Sequence, residues 1–323
     1  MMRFGNEICE GYIDERGCAK CFANSRGLPK SIAGVVSIVP NGLSKFVLKK
    51  NMTGEIASAA GVKALTHGHK NSFHEMVQIS DKIVVLSQWM YDRMRINGVE
   101  DSKLSLIRHG IDASLYTRHG SQKTMNESLK IGFLGRADPI KGIGRIVDAV
   151  KKLDLRLCWE LHIYAIVGND QEMRYIEDLK RVSDADPRIR FENSVIQAEV
   201  PQVMATLDVL AVPSQWLETG PLVVLEALAA RTPVLGSDLG GIREHIQDGV
   251  NGRLLSPSRT DDWTSAIREL IDHPERLDRL RKNIKQVRSM DDVAGEMIQV
   301  YKEVMNNNAT IRRPPKQVTG VNH

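Results

Sequence analysis

Pro213-Ser214-Gln215-Trp216-Leu217-Glu218-Thr219-Gly220-Pro221-Leu222-Val223-Val224-Leu225-Glu226 is the stretch that decides how this chain folds. The run Asp208 to Val212 before it reads as a buried strand. Pro213 to Gly220 is turn-forming, and the apolar residues that follow predict a helix opening at Pro221. Proline at a first helical position loses nothing, because its N–H would be unpaired anyway. A helix start carries free N–H groups and partial positive charge, which suits anionic or hydroxyl-rich ligands. Glu218 and Glu226 flank that start with seven residues between them. Carboxylates accept hydrogen bonds from the hydroxyls of sugars and riboses. Glu226 has apolar neighbours nearly all round, Leu222 to Leu225 and Ala227 to Ala229. An unpaired carboxylate there is costly, so a ligand or a cationic partner is expected to satisfy it.

Working outward, strand and helix patterns alternate from residue 126 onward. Strands are expected at Lys130 to Leu134, Leu161 to Val167, Arg188 to Phe191, Val234 to Gly236 and Arg253 to Leu255. Helices are expected from Ile143 to Leu153, Glu172 to Val182, Glu199 to Thr206 and Pro221 to Ala230, then over 260–272, 275–288 and 291–305. This alternation predicts an α/β fold with a doubly wound parallel sheet. Ligands of such sheets bind beyond the carboxyl ends of the strands, where Gly135-Arg136, Gly168 and Pro213 to Gly220 fall. Gly240-Gly241 offers a second flexible helix start.

The first 125 residues carry fewer signals. Lys82 to Leu86 reads as a strand, Ser87 as an N-cap, Gln88 to Asn97 as a helix and Leu104 to Ile107 as a further strand. His67, His69 and His74 lie in a region of different pattern, and none is advanced as functional. Residues 17 to 54 hold no acid but carry Lys20, Arg26, Lys30, Lys45, Lys49 and Lys50 among apolar residues. Such a stretch can lie on an anionic membrane surface. The plainer reading, a solvated face over a core helix, is favoured because Pro40-Asn41-Gly42 breaks any long helix. Peripheral membrane contact stays open as the alternative.

With 323 residues, 42% hydrophobic and 26% charged, the chain reads as an ordinary globular protein of two domains. A net charge of +4 gives no argument for nucleic acid. No apolar run reaches the roughly 18 residues of a membrane span. No secretory leader pattern is visible either, so a cytoplasmic location is expected. Cys9, Cys18 and Cys21 form a C-x8-C-x2-C cluster and Cys158 stands apart. Zinc prefers four ligands, so plain thiols are favoured over a metal site. The tail from Asn306 lacks apolar periodicity and is expected to be disordered.

Several motifs in order carry a resemblance. They are the glutamate pair, Phe133-Leu134-Gly135-Arg136 with Lys141-Gly142, and Gly240-Gly241-Ile242-Arg243-Glu244 with Asp248-Gly249-Val250-Asn251-Gly252. Together they resemble the retaining glycosyltransferases of family 4, with the GT-B fold and the E-x7-E signature, from about residue 81 to 305 and more loosely from residue 9. After Ala229-Ala230, Arg231 stands where proteins that this chain resembles commonly carry a helix-ending glycine. A left-handed arginine costs about 1 kcal/mol or a little more. The resemblance implies a partial, N-terminally truncated acceptor-side Rossmann-like domain over 1–125. It implies a complete nucleotide-sugar domain over 126–305, ahead of a tail over 306–323. It further implies a UDP-, GDP- or ADP-sugar donor, a glycan or lipid-linked acceptor, and no cofactor. Arg136 and Lys141 would clamp the diphosphate in place of a metal. Glu218 would contact the transferred sugar and Glu226 the ribose, with the Gly220 and Leu222 N–H groups nearby. The expected donor-binding set is therefore Gly135, Arg136, Lys141, Glu218, Gly220, Pro221, Leu222 and Glu226, of which Glu218, Arg136 and Lys141 carry catalysis. Retention would proceed through Glu218 as nucleophile or by front-face attack. The rival expectation is a donor-binding half without turnover. A dinucleotide oxidoreductase is set aside, since no G-x-G-x-x-G opens a helix after a strand.

Overall fold

The computed structural model describes residues 2–3, 7–25, 27–40, 42–44, 46, 55–117, 128–183 and 186–311. Short apolar runs in the second half become β5 (Leu129–Arg136), β6 (Trp159–Ile166), β7 (Ile189–Glu192), β8 (Val209–Val212), β9 (Val234–Ser237) and β10 (Gly252–Leu255). They follow two short antiparallel strands, β1 (Met2–Arg3) and β2 (Glu7–Ile8), and a parallel pair, β3 (Ile83–Val85) and β4 (Leu104–Leu106). The six later strands form one all-parallel sheet in the order β10-β9-β8-β5-β6-β7. Strand order therefore reverses between β5 and β8. A crevice opens at such a switch point beyond the carboxyl ends, which is where a doubly wound sheet takes its ligand.

Helices cover both faces. Ile143–Lys151 turns Ile143, Ile146, Val147 and Val150 inward, all fully buried, because their spacing puts them on one helix face. On this side Trp159 and Trp263 are also fully buried, and the Trp263 indole donates to the Ser256 carbonyl at 2.9 Å. On the other face Leu222–Ala229 packs Val224, Leu225 and Leu228 against Met204, Leu210 and Val234. Asp208 ties the layers together. One carboxylate oxygen accepts the Lys130 N–H at 2.9 Å and the other meets the buried Arg281 guanidinium at 2.6 Å.

Most element positions match the sequence reading to within a residue or two. The differences have local causes. Pro221 is the N-cap, with extended backbone, and the helix starts at Leu222, which is 46% exposed rather than buried. Arg231 takes the left-handed conformation expected of it (φ 59°). The helix beginning at Pro274 ends at Asn283 instead of 288, because the next residues run extended alongside Ile111. The Ile111 N–H donates to the Arg288 carbonyl at 3.0 Å. The last helix, Met290–Ile311, continues into the stretch expected to be disordered, and residues 312–323 lie outside the described residues. It also returns to the first half of the chain, where Glu303 meets Lys82 at 3.3 Å.

In that first half, the region of unassigned pattern is a long helix, Glu55–Ile79. His67 on it bonds Glu15 at 3.1 Å, and this contact holds the Glu15 carboxyl below its ordinary pKa. Helices Glu15–Ser25 and Lys30–Ser37 pack together and against that long helix. Of the basic stretch, Arg26, Lys45, Val47, Leu48, Lys49 and Lys50 lie outside the described residues. The cysteines are free thiols; burial pushes the Cys18 thiol up. Among the described residues no group of His, Cys, Asp and Glu is arranged to hold a metal, and no helix is long and apolar enough to cross a membrane.

Candidate active site

Two loops leave the carboxyl ends of β5 and β8 and meet at the switch point. The first, from Arg136, makes a short 3-10 turn, Pro139–Lys141, whose N–H at Ile140 is capped by the Asp138 carboxylate. The second, Pro213 to Pro221, is fixed to it by the Gln215 N–H on the Ile140 carbonyl at 2.7 Å. Gly142 closes the turn with φ 79° and lies against the Pro213 carbonyl. This docking brings Lys141 Nζ to 2.6 Å from Glu218 Oε1. The Ser214 hydroxyl donates to the same oxygen at 2.8 Å. Both side chains of the ion pair are largely withdrawn from solvent, 23% and 17% exposed, so solvent screens the pair less than it would on an open surface.

Glu226 lies on the adjacent helix, 8% exposed. Within the chain its carboxylate has a neutral partner, and no cation pairs with it among the described residues. Gln197 Nε2 donates at 2.8 Å, and the buried Tyr116 phenol lies near enough to feel its charge. Burial, reinforced by that carboxylate, pushes the Tyr116 phenol far above its ordinary pKa. Arg136 is the open member of the set. Its side chain is 58% exposed and 4.0 Å from Asp138. Gly135, one residue earlier on β5, pairs with Ala165 of β6. Gly220 is pressed against the His109 ring, so that a methyl group there would come within 2.3 Å of His109 Cδ2. Among the described residues, neither the Gly220 nor the Leu222 N–H enters a turn or loop hydrogen bond.

The structure thus joins Lys141 to Glu218 directly and places Glu226 in a separate network, with Arg136 standing free of both. Ser214, Tyr116, Gln197, His109 and Trp89 were missed in the sequence. The Trp89 indole donates to the Glu218 carbonyl at 2.9 Å. The Gly240-Gly241 pair is needed for close approach rather than flexibility. A methyl group on Gly241 would sit 2.8 Å from the Glu218 carbonyl oxygen, which accepts the Gly241 N–H at 2.7 Å.

A sequence model of the glycosyl transferases group 1 family matches residues 118–287. The chain belongs to this family. D-inositol 3-phosphate glycosyltransferase 2 of Catenulispora acidiphila is 26% identical over 218 residues, covering 63% of this chain and 51% of that protein. MMP alpha-(1->4)-mannosyltransferase of Mycolicibacterium hassiacum is 27% identical over 236 residues, covering 71% and 55%. The chain spans about half the length of the curated relatives it matches. Among solved structures, Anabaena Alr3699/HepE in complex with UDP and glucose superposes with a TM-score of 0.63 at 18% identity, over 80% of this chain and 76% of that one. At that identity the likeness is one of fold, and the fold of this group 1 member is GT-B.

One group beside the site gives this group 1 chain a pH response. Burial lowers the pKa of His245; the Glu244 carboxylate opposes that shift, and the Arg108 and His109 charges add to it. The folded chain then binds this proton less readily than the unfolded chain. The stability tied to neutral His245 is complete above about pH 6.5 and is lost as pH falls toward the lower folded value. Urea midpoints should therefore decline between about pH 7 and pH 5, and His245→Gln should flatten the decline. An unchanged slope in the variant would assign the response elsewhere.

Proposed function

We propose that the chain transfers a glycosyl group, with retention, from a nucleoside-diphosphate sugar to a hydroxyl of a glycan or lipid-linked acceptor. The observation that carries this reading is the Lys141–Glu218 pair, held at 2.6 Å at the switch point of the sheet. A cation and a carboxylate so placed match the two ends of an activated sugar. The Lys141 ammonium stabilises the charge that grows on the diphosphate as the sugar–phosphate bond breaks. Glu218 accepts hydrogen bonds from hydroxyls of the transferred sugar. Arg136, projecting from the end of β5, completes the diphosphate clamp, with Gly135 allowing close approach. Glu226 receives the ribose hydroxyls with its orientation fixed by Gln197. Pro221 and the free N–H groups of Gly220 and Leu222 line the site between the two glutamates.

The curated relatives named as glycosyltransferases, and the Anabaena structure with UDP and glucose, support a donor of this class. The test is nucleotide release from UDP-, GDP- and ADP-sugars by the purified chain. Arg136→Ala should slow release by about 10²-fold, the usual loss of one charge-stabilising donor. Release no faster in the wild type than in the variant, with no nucleotide bound, would end this reading. Binding without turnover would favour a donor-binding half instead.

A further inference from the structure

The helix Gln88–Ile96 belongs to the first half of the chain, yet its N-terminus is capped from the second. Ser87 stands at its N-cap with extended backbone and makes no side-chain cap; its hydroxyl is buried and unpartnered. The cap comes from Glu244, on the short helix Gly240–His245. One carboxylate oxygen accepts the Gln88 N–H at 2.8 Å, the other the Trp89 N–H at 2.9 Å. Arg108 Nη2 meets the same carboxylate at 3.1 Å. Negative charge at a helix N-terminus is favourable, and Glu244, with a side chain only 16% exposed, is well placed to use it. The residue whose N–H it fixes, Trp89, carries the indole that donates to the Glu218 carbonyl. That carbonyl also accepts the Gly241 N–H, from the same short helix that bears Glu244.

We infer that Glu244 is a positioning residue. It clamps Trp89, and through the Trp89 indole it sets the main chain of Glu218 and hence the aim of the Glu218 carboxylate across the cleft. This deepens the proposed function and rests on Glu218 facing the donor sugar. The contacts form a closed circuit, with Glu244 holding Trp89, Trp89 holding Glu218, and Glu218 holding Gly241, three residues before Glu244. Losing one member loosens the Glu218 loop first, whereas Arg136 and the 3-10 turn that carries Lys141 keep contacts of their own.

Two variants of the full chain test the inference, Glu244→Gln and Trp89→Phe. Glutamine has the size but offers a single acceptor; phenylalanine fills the site but lacks the N–H. The first measurement is amide hydrogen exchange, which needs no donor. Glu244→Gln should speed exchange about tenfold at Gln88, Trp89 and Gly241, the effect expected for losing a charge-assisted bond. Trp89→Phe should speed it at Gly241 while leaving Gln88 unchanged. Wild-type exchange at Gly241 in both variants would overturn the inference, and Trp89→Phe alone decides if Glu244→Gln does not fold. The second measurement compares UDP with UDP-glucose, and GDP with GDP-mannose, by calorimetry. Both variants should weaken the nucleotide-sugar by a larger factor than the free nucleotide, whereas a merely structural role would move both equally or neither. A wild type that binds none of the four refutes the donor reading, and the exchange data still judge the clamp.

Discussion

Lys141→Ala should cut nucleotide release from the donor sugar by about 10² to 10³-fold, the range for losing one preorganised charge at a developing anion. The geometry makes Lys141 the cation most tightly built into the site. It is fixed by a 3-10 turn, 2.6 Å from Glu218, and mostly shielded from water. A shielded charge acts more strongly on a nearby anion than an exposed one. For that reason its loss should exceed that of the open Arg136. Lys141→Arg keeps the charge but changes its shape and reach, so a partial recovery is expected. Steady-state release assays on the three proteins, with melting curves to confirm folding, check this. An alanine variant that turns over like the wild type would remove Lys141 from the mechanism.

Gly142→Ala should be among the most damaging single methyl groups at the described glycines. The residue sits at φ 79°, ψ 22°. A side chain in that conformation costs about 1–2 kcal/mol by itself. The added carbon would also lie 1.9 Å from the Pro213 carbonyl oxygen and 2.7 Å from its carbon. Both are main-chain atoms of the partner loop, which no rotamer change can move aside. Overpacking of this kind adds about 1–3 kcal/mol, giving roughly 2–5 kcal/mol in all. Urea unfolding should show a midpoint shift at unchanged slope. Because Gly142 joins the two loops that carry Lys141 and Glu218, donor binding should fall as well. A variant with wild-type midpoint and affinity would contradict the loop docking described above.

Much of this was readable from the chain because the relevant signals are local. The strands β5 to β10 show as apolar runs punctuated by turns, and the glutamate pair straddles one loop and one helix. Arg231 was expected to take a left-handed backbone because proteins of the resembled family commonly carry a helix-ending glycine at that position, and it does. What stayed hidden depends on residues far apart in sequence. Tyr116 and Gln197 reach Glu226 from other elements, and no spacing rule links them. Glu244 is 156 positions from the Gln88 N–H it caps, and the adjacent Ser87 was the obvious local candidate. Gly240-Gly241 looked like a flexible pair because the carbonyl that presses on it belongs to another loop. The early end of the helix at Asn283 follows from a partner strand segment near Ile111 that only the folded chain brings alongside.

That segment has a mechanical consequence. The polypeptide passes between its two halves once near Ile111 and again near Ser289, and the two passages run side by side, bonded to each other. The Gly110 backbone lies so close to the Ser289 carbonyl that even a methyl group would not fit. A pair of parallel tethers fastened together resists twisting and sideways slip but bends readily about a single line. The expected consequence is that any relative movement of the two halves is a rocking about this double strap rather than a twist.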